Sequence, residues 1–523
     1  MNLRSLSLHL LLPVTFAASS LRAEVKLPNV FTPHLVLQRG MAVPVYGTAA
    51  PGEKVTVAFR DQTKTTEADK DGKWSVKLDA LKPGGPDVLT VGNQRIEDVL
   101  VGDVWVGSGQ SNMDMKVNSY TLGDPVLAQD AQGTYPKLRL MKRGAWQEAT
   151  PENIASFSAL LFSFGVPLQK ELDVPVGLMV GAVGGTPSGF WLSEEMYRAD
   201  AACAAAVKKF AATYNFEEEV AKYNVAKVKY DAEFAVWKPL AAAAKAEGKP
   251  APPAPRGPQP VGRAGETNSG KVGQLFEQHI RGYVGYGIKG VLWDQGESRT
   301  NIVGVPQYEL MGALIKGWRK DWGQGEFPFL YVQKPSGGGC AWDYEAPMTS
   351  KAEKFAPLPK TIPNGPGADY SHAYFATFMQ YPKTYMVTSS DLGSGTHPAN
   401  KSGYGARAAQ VARNAVYGGK AEFSGPLYAS HSVEGSQVRI KFTHVGKGLA
   451  FKNGGQLQGF MIAGEDKKFV WADAVIDGQN VTVSSQEVAK PAAVRYAWSG
   501  QFPWANLFNQ DGLPAQPFRT DAW

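Results

Sequence analysis

The stretch Gly102-Asp103-Val104-Trp105-Val106-Gly107-Ser108-Gly109-Gln110-Ser111-Asn112-Met113 decides the fold around which the rest of the chain is organised. Its apolar residues 104–107 predict a buried strand, and Ser111 follows where the chain turns. In open α/β sheets, functional groups gather at the carboxyl ends of the strands. The stretch therefore indicates a serine at the functional edge of a sheet, although an isolated Gly-x-Ser turn is common without any function.

The chain from Val101 to about residue 420 has the pattern of a parallel α/β sheet, because short apolar runs alternate with longer helical segments. Strands are predicted at residues 104–107, 138–141, 176–183, 290–293, 329–332 and 385–388. This alternation predicts an α/β core domain over residues 101–420.

All-β segments flank this core on both sides. Residues 24–100 contain short alternating runs separated by turn signals such as Pro51-Gly52, and similar runs return toward the C-terminus. We therefore predict β-sandwich-like domains at residues 24–100 and 421–523. The first is expected to brace the core, with glycan binding as the alternative. A length of 523 residues agrees with several domains, because it exceeds what one hydrophobic core usually supports.

A helical insertion is predicted within the core at residues 193–265, which are rich in Ala, Lys and Glu. Phe216, Tyr223, Tyr230 and Trp237 recur at intervals of seven residues and so form one stripe on a helix. We expect this stripe to pack against a partner segment; an aromatic platform for sugars is the alternative. The proline-rich run that follows the helix predicts a stiff, extended connection.

Composition limits the possible partners and compartment. A net charge of +6, without a basic cluster, argues against nucleic-acid binding. Residues 1–23 predict an export signal, since Arg4 precedes the apolar run 6–18 and small residues lead to a possible cleavage site. We therefore expect a periplasmic or extracellular protein, without stable membrane insertion because the apolar run is too short. The cysteines, Cys203 and Cys340, exclude a disulfide framework and leave one bridge or two free thiols open.

A serine nucleophile needs a general base, and histidine suits this role because its ordinary pKa lies near neutrality. Of the seven histidines, His397 has the best position. It follows the predicted strand 385–388 and precedes a helix predicted at about residues 402–417. His397 is therefore expected at the same sheet edge as Ser111.

Two further loops follow predicted strands and carry groups that suit acyl transfer. Gly184-Gly185-Thr186 offers unshielded backbone amides, which a developing oxyanion requires. Gln295-Gly296-Glu297 offers a side-chain amide beside a carboxylate. Each loop has an ordinary explanation as a turn, but several polar loops at the ends of predicted strands together favour a catalytic site.

These motifs resemble the signature blocks of the SGNH-hydrolase superfamily, and in particular those of the sialate O-acetylesterase-like carbohydrate esterases. The matching blocks are Gly109-Gln110-Ser111-Asn112-Met113, Pro175-Val176-Gly177-Leu178, Gly184-Gly185-Thr186-Pro187, Gln295-Gly296-Glu297-Ser298 and His397-Pro398-Ala399-Asn400-Lys401. The resemblance begins in the first β domain at Leu35-Val36-Leu37-Gln38-Arg39 and extends to about Gly418. It implies an SGNH-type, flavodoxin-like core with a parallel sheet.

The resemblance also implies residue roles. Ser111 would be the nucleophile and His397 the general base and acid, and the oxyanion hole would combine the Ser111 amide, the Gly185 amide and the Gln295 side chain. The implied reaction removes O-acetyl groups from a sugar, either sialic acid or an acetylated polysaccharide. It needs no metal or organic cofactor.

The third member of the catalytic triad is where this sequence departs from the family. Related sequences carry an acidic residue shortly before the histidine, where this chain has Ser394 and Gly395. Glu297, inside a matching block, and Asp391, closer in sequence, are the candidates for orienting His397. A dyad that relies on a backbone carbonyl is the third option. The departure also keeps a second hypothesis open, that of a noncatalytic glycan-binding or scaffold protein derived from an esterase.

Overall fold

The computed structural model describes residues 25–142, 144–363 and 366–523, and it has a mixed α/β fold with additional sheets at both ends. The predicted α/β class and the flanking β segments are confirmed. The predicted export signal at residues 1–23 lies outside the described residues. Within the described part of the chain, every helix is too short or too polar to serve as a membrane span.

The N-terminal strands lead into one long strand that also belongs to the core. They are β1 (Val36–Gln38), β2 (Val43–Thr48), β3 (Lys54–Phe59), β4 (Gln62–Glu67), β5 (Lys73–Leu78), β6 (Gly84–Val91) and β7 (Gln94–Gly109). β1 and β6 pair with the first half of β7, whereas β2 pairs with β5. The predicted boundary after residue 100 falls inside β7, so the N-terminal sheet and the core sheet share a strand.

The core sheet is parallel apart from one edge strand. Its further strands are β8 (Tyr135–Lys142), β9 (Ala145–Ala149), β10 (Val176–Ala182), β11 (Gly290–Asp294), β12 (Phe329–Val332) and β13 (Thr384–Val387). They lie in the order β13-β12-β11-β7-β10-β8-β9, with only β9 antiparallel to its neighbour. Six strands of this sheet are parallel, β8 among them, and the other five, β10-β7-β11-β12-β13, follow the chain order 2-1-3-4-5 among themselves. The switch point of this topology is the carboxyl end of β7.

Helices cover both faces of the sheet. They are α1 (Ser111–Asp114), α2 (Pro125–Asp130), α3 (Pro151–Ala155), α4 (Ala159–Leu172), α5 (Glu194–Arg198), α6 (Ala201–Ala211), α7 (Phe216–Ala246), α8 (Gln307–Trp322), α9 (Pro366–Gln380) and α10 (Lys401–Ala415). Short 3₁₀ turns occur at Val117–Ser119, Ser188–Phe190 and Arg281–Tyr283, and a π-helical turn at Phe276–Ile280. α4 and α10 pack together on one face, and α8 and α9 cover the other.

Trp105 shows how β7 is buried on both faces. Side chains alternate along a strand, so Trp105 points into the layer of α4 and α10, whereas Val104 and Val106 belong to the core on the opposite face. The indole ring meets Phe164 edge to face at 5.1 Å between centroids, and its Nε1 donates to the Tyr417 hydroxyl at 3.1 Å. The strand that leads to Ser111 is therefore fixed by packing on both sides.

The helical insertion differs from expectation in what covers its aromatic stripe. α7 forms, but none of its residues is fully buried. The stripe packs against the proline-rich run, residues 250–260: Trp237 Nε1 donates to the Pro252 carbonyl at 2.8 Å, and the Tyr230 ring lies against Gly257. The expected partner segment is thus the connection that follows the helix itself.

The C-terminal segment forms a second β domain. Its strands are β14 (Leu427–Glu434), β15 (Gln437–Thr443), β16 (Leu449–Phe451), β17 (Phe460–Ala463), β18 (Val470–Trp471), β19 (Asp473–Asp477), β20 (Asn480–Ser484), β21 (Ala493–Tyr496), β22 (Leu507–Asn509) and β23 (Phe518–Arg519). Two four-stranded sheets, β14-β15-β20-β19 and β18-β17-β21-β23, enclose its core. Gln516 Nε2 donates to Thr388 Oγ1 at 2.7 Å, which fastens this domain to the end of β13.

The two cysteines do not form a bridge. Cys203 is buried on α6, and Cys340 is buried in the loop after β12 with its Sγ 3.2 Å from the Ala505 carbonyl oxygen. Both are free thiols.

Replacing Trp105 with alanine should destabilise the core strongly, because a large buried side chain leaves a cavity costing about 3–5 kcal/mol. Trp237→Ala is the matched control, since Trp237 is only half-buried on an outlying helix; its loss should cost less than about 1 kcal/mol. Calorimetric unfolding of both variants gives the comparison. Equal decreases in Tm would show that β7 is not the centre of the core.

Candidate active site

Ser111 is presented by a tight backbone turn at the end of β7. Gly109 has a φ of 129°, which residues with side chains rarely adopt, and a Cβ here would lie 2.0 Å from the Asp294 carbonyl oxygen. The next amide, Gln110 N–H, donates to that same carbonyl at 2.9 Å. Because only glycine fits, the turn is fixed, and it places Ser111 at the first residue of α1 with 8% of its surface exposed.

The structure brings His397 to Ser111 across 286 positions of sequence. Its Nε2 lies 2.8 Å from Ser111 Oγ, which is hydrogen-bond distance. His397 stands in an exposed loop between β13 and α10. Within the described part of the chain, this is the only hydrogen bond of its side chain. The two residues therefore have the geometry of a nucleophile and its base.

Unpaired amides lie on the segments around the serine. Gly184 packs against the nucleophile, since a Cβ there would lie 3.5 Å from Ser111 Cβ; its N–H donates to Asp114 Oδ2 at 3.3 Å. The neighbouring Gly185 has a φ of 74°. Among the described residues, neither the Gly185 N–H nor the Ser111 N–H has an acceptor. Free amides of this kind are the donors that an oxyanion hole needs.

Gln295 does not turn its side chain toward the serine, which corrects the sequence-based expectation. Its Nε2 donates to the carbonyl oxygens of Thr186 at 3.3 Å and Arg299 at 3.0 Å, so both amide hydrogens are used. Its Oε1 accepts a hydrogen bond from Gln307 Nε2 at 3.3 Å. Gln295 is fully buried and holds the loop that follows Gly185.

Glu297 lies at the site but does not bond the imidazole. Its Oε1 accepts hydrogen bonds from Asn112 Nδ2 at 2.9 Å and from Lys334 Nζ at 2.7 Å. In the part of the chain that the structure describes, no hydrogen bond joins Glu297 to His397. The carboxylate therefore belongs to a network behind the nucleophile, to which Asn112 connects it.

Asp391 pairs with Arg407 and does not bond His397, which corrects the expectation that it could be the triad acid. Its two oxygens accept hydrogen bonds from the guanidinium of Arg407 at 3.1 and 2.8 Å, and both side chains are buried. Such a pair joins the end of β13 to α10. Among the described residues, His397 bonds neither Glu297 nor Asp391 nor a backbone carbonyl, so none of the three options left open by the sequence is present as a hydrogen bond to the imidazole.

Buried charges form the network behind the nucleophile. Lys334 Nζ lies 2.7 Å from Asp294 Oδ1 and from Glu297 Oε1. Burial alone would lower the pKa of Lys334, but the two carboxylates outweigh it and raise that pKa above its usual value. Lys401 Nζ donates to Asn112 Oδ1 at 2.6 Å. Burial, together with the positive charge of Lys334, lowers the pKa of Lys401 to about 7.

Sequence patterns alone do not single out Asn112, Lys334 or Lys401. Asn112 and Lys401 lie inside the motif blocks that contain Ser111 and His397, next to more familiar catalytic types. Lys334 comes just after the strand β12, at the same sheet edge as the other polar loops. Its position directly after a buried strand is the sequence feature that could have identified Lys334 as part of the site.

Outside this site, one group of described side chains could offer ligands to a metal: His34, Asp98 and Glu148, whose ligand atoms lie within 4.8 Å of one another. A cation already lies among them, because Arg139 donates to both Asp98 oxygens at 3.1 and 2.9 Å and lies 3.6 Å from Glu148. The group is an ion-pair network, and we assign no metal to it.

The chain is similar to several known carbohydrate esterases. No family model matches the chain. It is similar to the sialate O-acetylesterases of Pongo abelii and Homo sapiens, each 26% identical over 98% of this chain and 96% of the relative. A carbohydrate acetylesterase from Xanthomonas citri of known crystal structure is 29% identical, with a TM-score of 0.70 over 96% of this chain and 100% of that one. These similarities confirm the recognition of a sialate O-acetylesterase-like carbohydrate esterase, and with it the prediction of an enzyme of the carbohydrate O-acetylesterase class.

Lys401 should make the stability of the protein depend on pH. Its folded pKa of about 7 lies below the ordinary lysine value of about 10.4, so at pH values between these two the unfolded chain binds the proton more readily. Stability from this residue is therefore lowest at about pH 7 and increases as pH rises toward 10. The free energy of unfolding of wild type minus that of Lys401→Met should increase by up to about 1.4 kcal/mol per pH unit.

Urea unfolding of both proteins, in unit steps from about pH 7 to about pH 10, measures this difference. All other titrating groups are shared by the two proteins and cancel to first order. A difference that stays constant over the window would contradict the lowered pKa.

Proposed function

We propose that the protein is a serine esterase that removes O-acetyl groups from a carbohydrate through an acetyl-serine intermediate. The observation that carries this proposal is the 2.8 Å contact between His397 Nε2 and Ser111 Oγ. The unpaired N–H groups of Ser111 and Gly185 support it, as does the similarity to the Xanthomonas citri carbohydrate acetylesterase. The alternative of a noncatalytic glycan-binding protein rests on the lack of a carboxylate at His397, and it gives no reason for the contact between His397 and Ser111.

In the first half of the reaction, Ser111 Oγ attacks the acetyl carbonyl carbon while His397 accepts the hydroxyl proton. The oxyanion of the tetrahedral intermediate accepts hydrogen bonds from the N–H groups of Ser111 and Gly185. When the intermediate collapses, the bond between the carbonyl carbon and the sugar oxygen breaks. The imidazolium returns its proton to that oxygen, which leaves acetyl-serine and a free sugar hydroxyl.

In the second half, His397 takes a proton from a water molecule whose oxygen attacks the acetyl-serine carbonyl. The second tetrahedral intermediate expels Ser111 Oγ, which regains a proton from the imidazolium, and the acetyl group leaves as acetic acid, which then loses its proton to water. None of these steps requires a metal ion or an organic cofactor. A triad acid would orient and stabilise the imidazole without reacting itself, so its absence from His397 leaves the reaction scheme intact.

We also assign the core to the SGNH type. The proposed groups follow strands of the 2-1-3-4-5 order: Ser111 follows β7, Gly185 follows β10, Gln295 follows β11 and His397 follows β13. In this arrangement Gln295 supports the oxyanion loop from behind instead of donating to the substrate.

Two cavities are the candidate sugar-binding sites: one reaches α1 at Asp114, and the other lies beside Glu297, whose carboxylate is bonded to Asn112 of α1. One, of about 680 Å³, is lined by Asp114 and by Asn29 of the N-terminal domain. The other, of about 740 Å³, is lined by Glu297 and Tyr370. Both volumes are typical of small-molecule sites, which span roughly 300–1,000 Å³. We propose an acetylated sugar or polysaccharide as substrate, with sialic acid among the candidates, and an exported protein in agreement with the predicted signal.

Replacing Ser111 with alanine should abolish ester hydrolysis. Turnover of p-nitrophenyl acetate, and acetate release from acetylated xylan and acetylated sialic acids, should fall by about 10³-fold or more. His397→Ala should fall by a similar factor, and the double variant should be no worse, because a nucleophile and its base act as a unit.

Ser424→Ala is the matched control, since this serine is also buried but lies between the core and the C-terminal domain. Its activity should stay within about twofold of wild type. Undiminished turnover by Ser111→Ala would refute the serine mechanism. Binding of a glycan without turnover by the wild type would establish the noncatalytic alternative.

Replacing Asp391 with asparagine should weaken the fold and spare the chemistry. Arg407 would be left buried without its counter-ion, which costs roughly 3–5 kcal/mol, so Tm should decrease. Measured well below the unfolding temperature, kcat/KM should remain within about threefold of wild type. A loss of about 10⁴-fold with an unchanged Tm, as expected for a triad acid, would mean that Asp391 acts on His397.

A further inference from the structure

No described carboxylate bonds His397, so another group has to keep its imidazole within reach of Ser111. We propose that Asn112, the residue after the nucleophile, is the positioning residue for His397. It acts by fastening both ends of the segment 396–401, which carries the histidine. This inference rests on the proposed esterase function and concerns how that same site is held together.

The contacts of Asn112 reach both ends of this segment. Its Nδ2 donates to the Thr396 carbonyl oxygen at 3.0 Å, one residue before His397. Its Oδ1 accepts a hydrogen bond from Lys401 Nζ at 2.6 Å, at the start of α10. The second hydrogen on Nδ2 goes to Glu297 Oε1 at 2.9 Å. Asn112 is 1% exposed, so these bonds are sheltered from water.

The loop before the histidine needs such an anchor. Residues 394–397 are exposed, and Gly395 has a φ of 110°. The loop is held just before them, where Tyr404 donates to the Gly393 carbonyl at 2.8 Å and Ser394 Oγ donates to Glu353, so the bond from Asn112 to Thr396 O is the restraint nearest the histidine. The reaction tolerates little displacement, because a misplacement of about 1 Å can cost about 10²-fold in rate. Since Asn112 is joined directly to Ser111, fastening the loop to Asn112 fixes the base relative to the nucleophile.

The surrounding charges fix the orientation of the Asn112 amide. A free amide can rotate and exchange the positions of its oxygen and nitrogen. Here Lys401 donates on one side, and the Glu297 carboxylate can only accept on the other, so a single orientation satisfies both neighbours. In that orientation the remaining N–H points to the Thr396 carbonyl. Lys334, bonded to Glu297, holds the carboxylate in place.

The experiment has to separate positioning from ordinary structural support. Asn506 provides a matched control in the C-terminal domain: it is also buried, donates two hydrogen bonds from Nδ2 to the carbonyls of Asn453 and Gln456 at 2.9 Å each, and accepts one from Gln458 N at 2.8 Å. Asn112→Ala and Asn506→Ala therefore remove the same number of hydrogen bonds from two buried sites, although two of the Asn112 partners are charged and all the Asn506 partners are backbone groups.

For Asn112→Ala, kcat on p-nitrophenyl acetate should fall by about 10²-fold or more while KM stays within about threefold. In its crystal structure, His397 Nε2 should lie beyond hydrogen-bond distance from Ser111 Oγ. Asn506→Ala should lower Tm and keep kcat within about threefold of wild type. Equal effects of the two variants on kcat, or an unmoved His397 in the Asn112→Ala crystal structure, would overturn the inference.

Two more variants keep the test decisive if Asn112→Ala does not fold. Asn112→Asp keeps the shape and the acceptor for Lys401 but sets carboxylate oxygens against Thr396 O and Glu297, so its kcat should also fall by about 10²-fold. Lys401→Met frees one end of the segment and should lower kcat by about tenfold without changing KM. Wild-type kcat in either variant would refute the positioning role.

Failure of the esterase proposal is recognised separately. Wild type and Ser111→Ala are assayed alongside, and an inactive wild type refutes the proposed function. The crystallographic distance between His397 Nε2 and Ser111 Oγ still tests the positioning role of Asn112 in that case, since this measurement needs no turnover.

Discussion

The close approach of the Asp294 carbonyl oxygen to the backbone at Gly109 sets the geometry of the whole site. Because no side chain fits between the ends of β7 and β11, the two strands meet directly, and Gln110 N–H bonds that carbonyl at 2.9 Å. Gln110 Oε1 then accepts the amides of Gly296 at 3.4 Å and Ser298 at 3.3 Å. The pairing of β7 with β11 therefore fixes the position of the nucleophile. A paired sheet is far stiffer than a free loop.

The buried charges behind the serine serve to orient neighbouring side chains more than to stabilise the fold. Desolvation of paired ions cancels most of their attraction, although removal of one partner is costly. Lys334 between Asp294 and Glu297 is such an arrangement, and it leaves the Glu297 carboxylate in one fixed place. Each side chain that contacts this carboxylate is then oriented as well. The network therefore extends the rigidity of the strand ends to side chains that the sheet itself does not hold.

Much of the fold follows from local patterns, because strands buried on both faces appear as apolar runs. All six predicted core strands are present, whereas β9 was missed: only Trp146 and Ala149 of its five residues are buried. The continuation of β7 across a predicted domain boundary was also hidden, since strand pairing leaves no mark in a single sequence. The sequence at the polar end of β11 is likewise the same whether the Gln295 side chain faces a substrate or a backbone carbonyl. The bonds of Asn112 reach 284 and 289 positions along the chain, beyond any local motif.

The missing acid before His397 is less of a loss than the triad pattern implies. In a triad, the acid orients the imidazole and stabilises the imidazolium that forms during the reaction. Stabilisation matters most where the ring is buried, because burial penalises the charged form. His397 is exposed, so water can solvate its positive charge. Orientation is then the task that remains. A carboxylate would perform it at the ring, whereas Asn112 performs it through the Thr396 carbonyl just before the histidine and the Lys401 side chain after it.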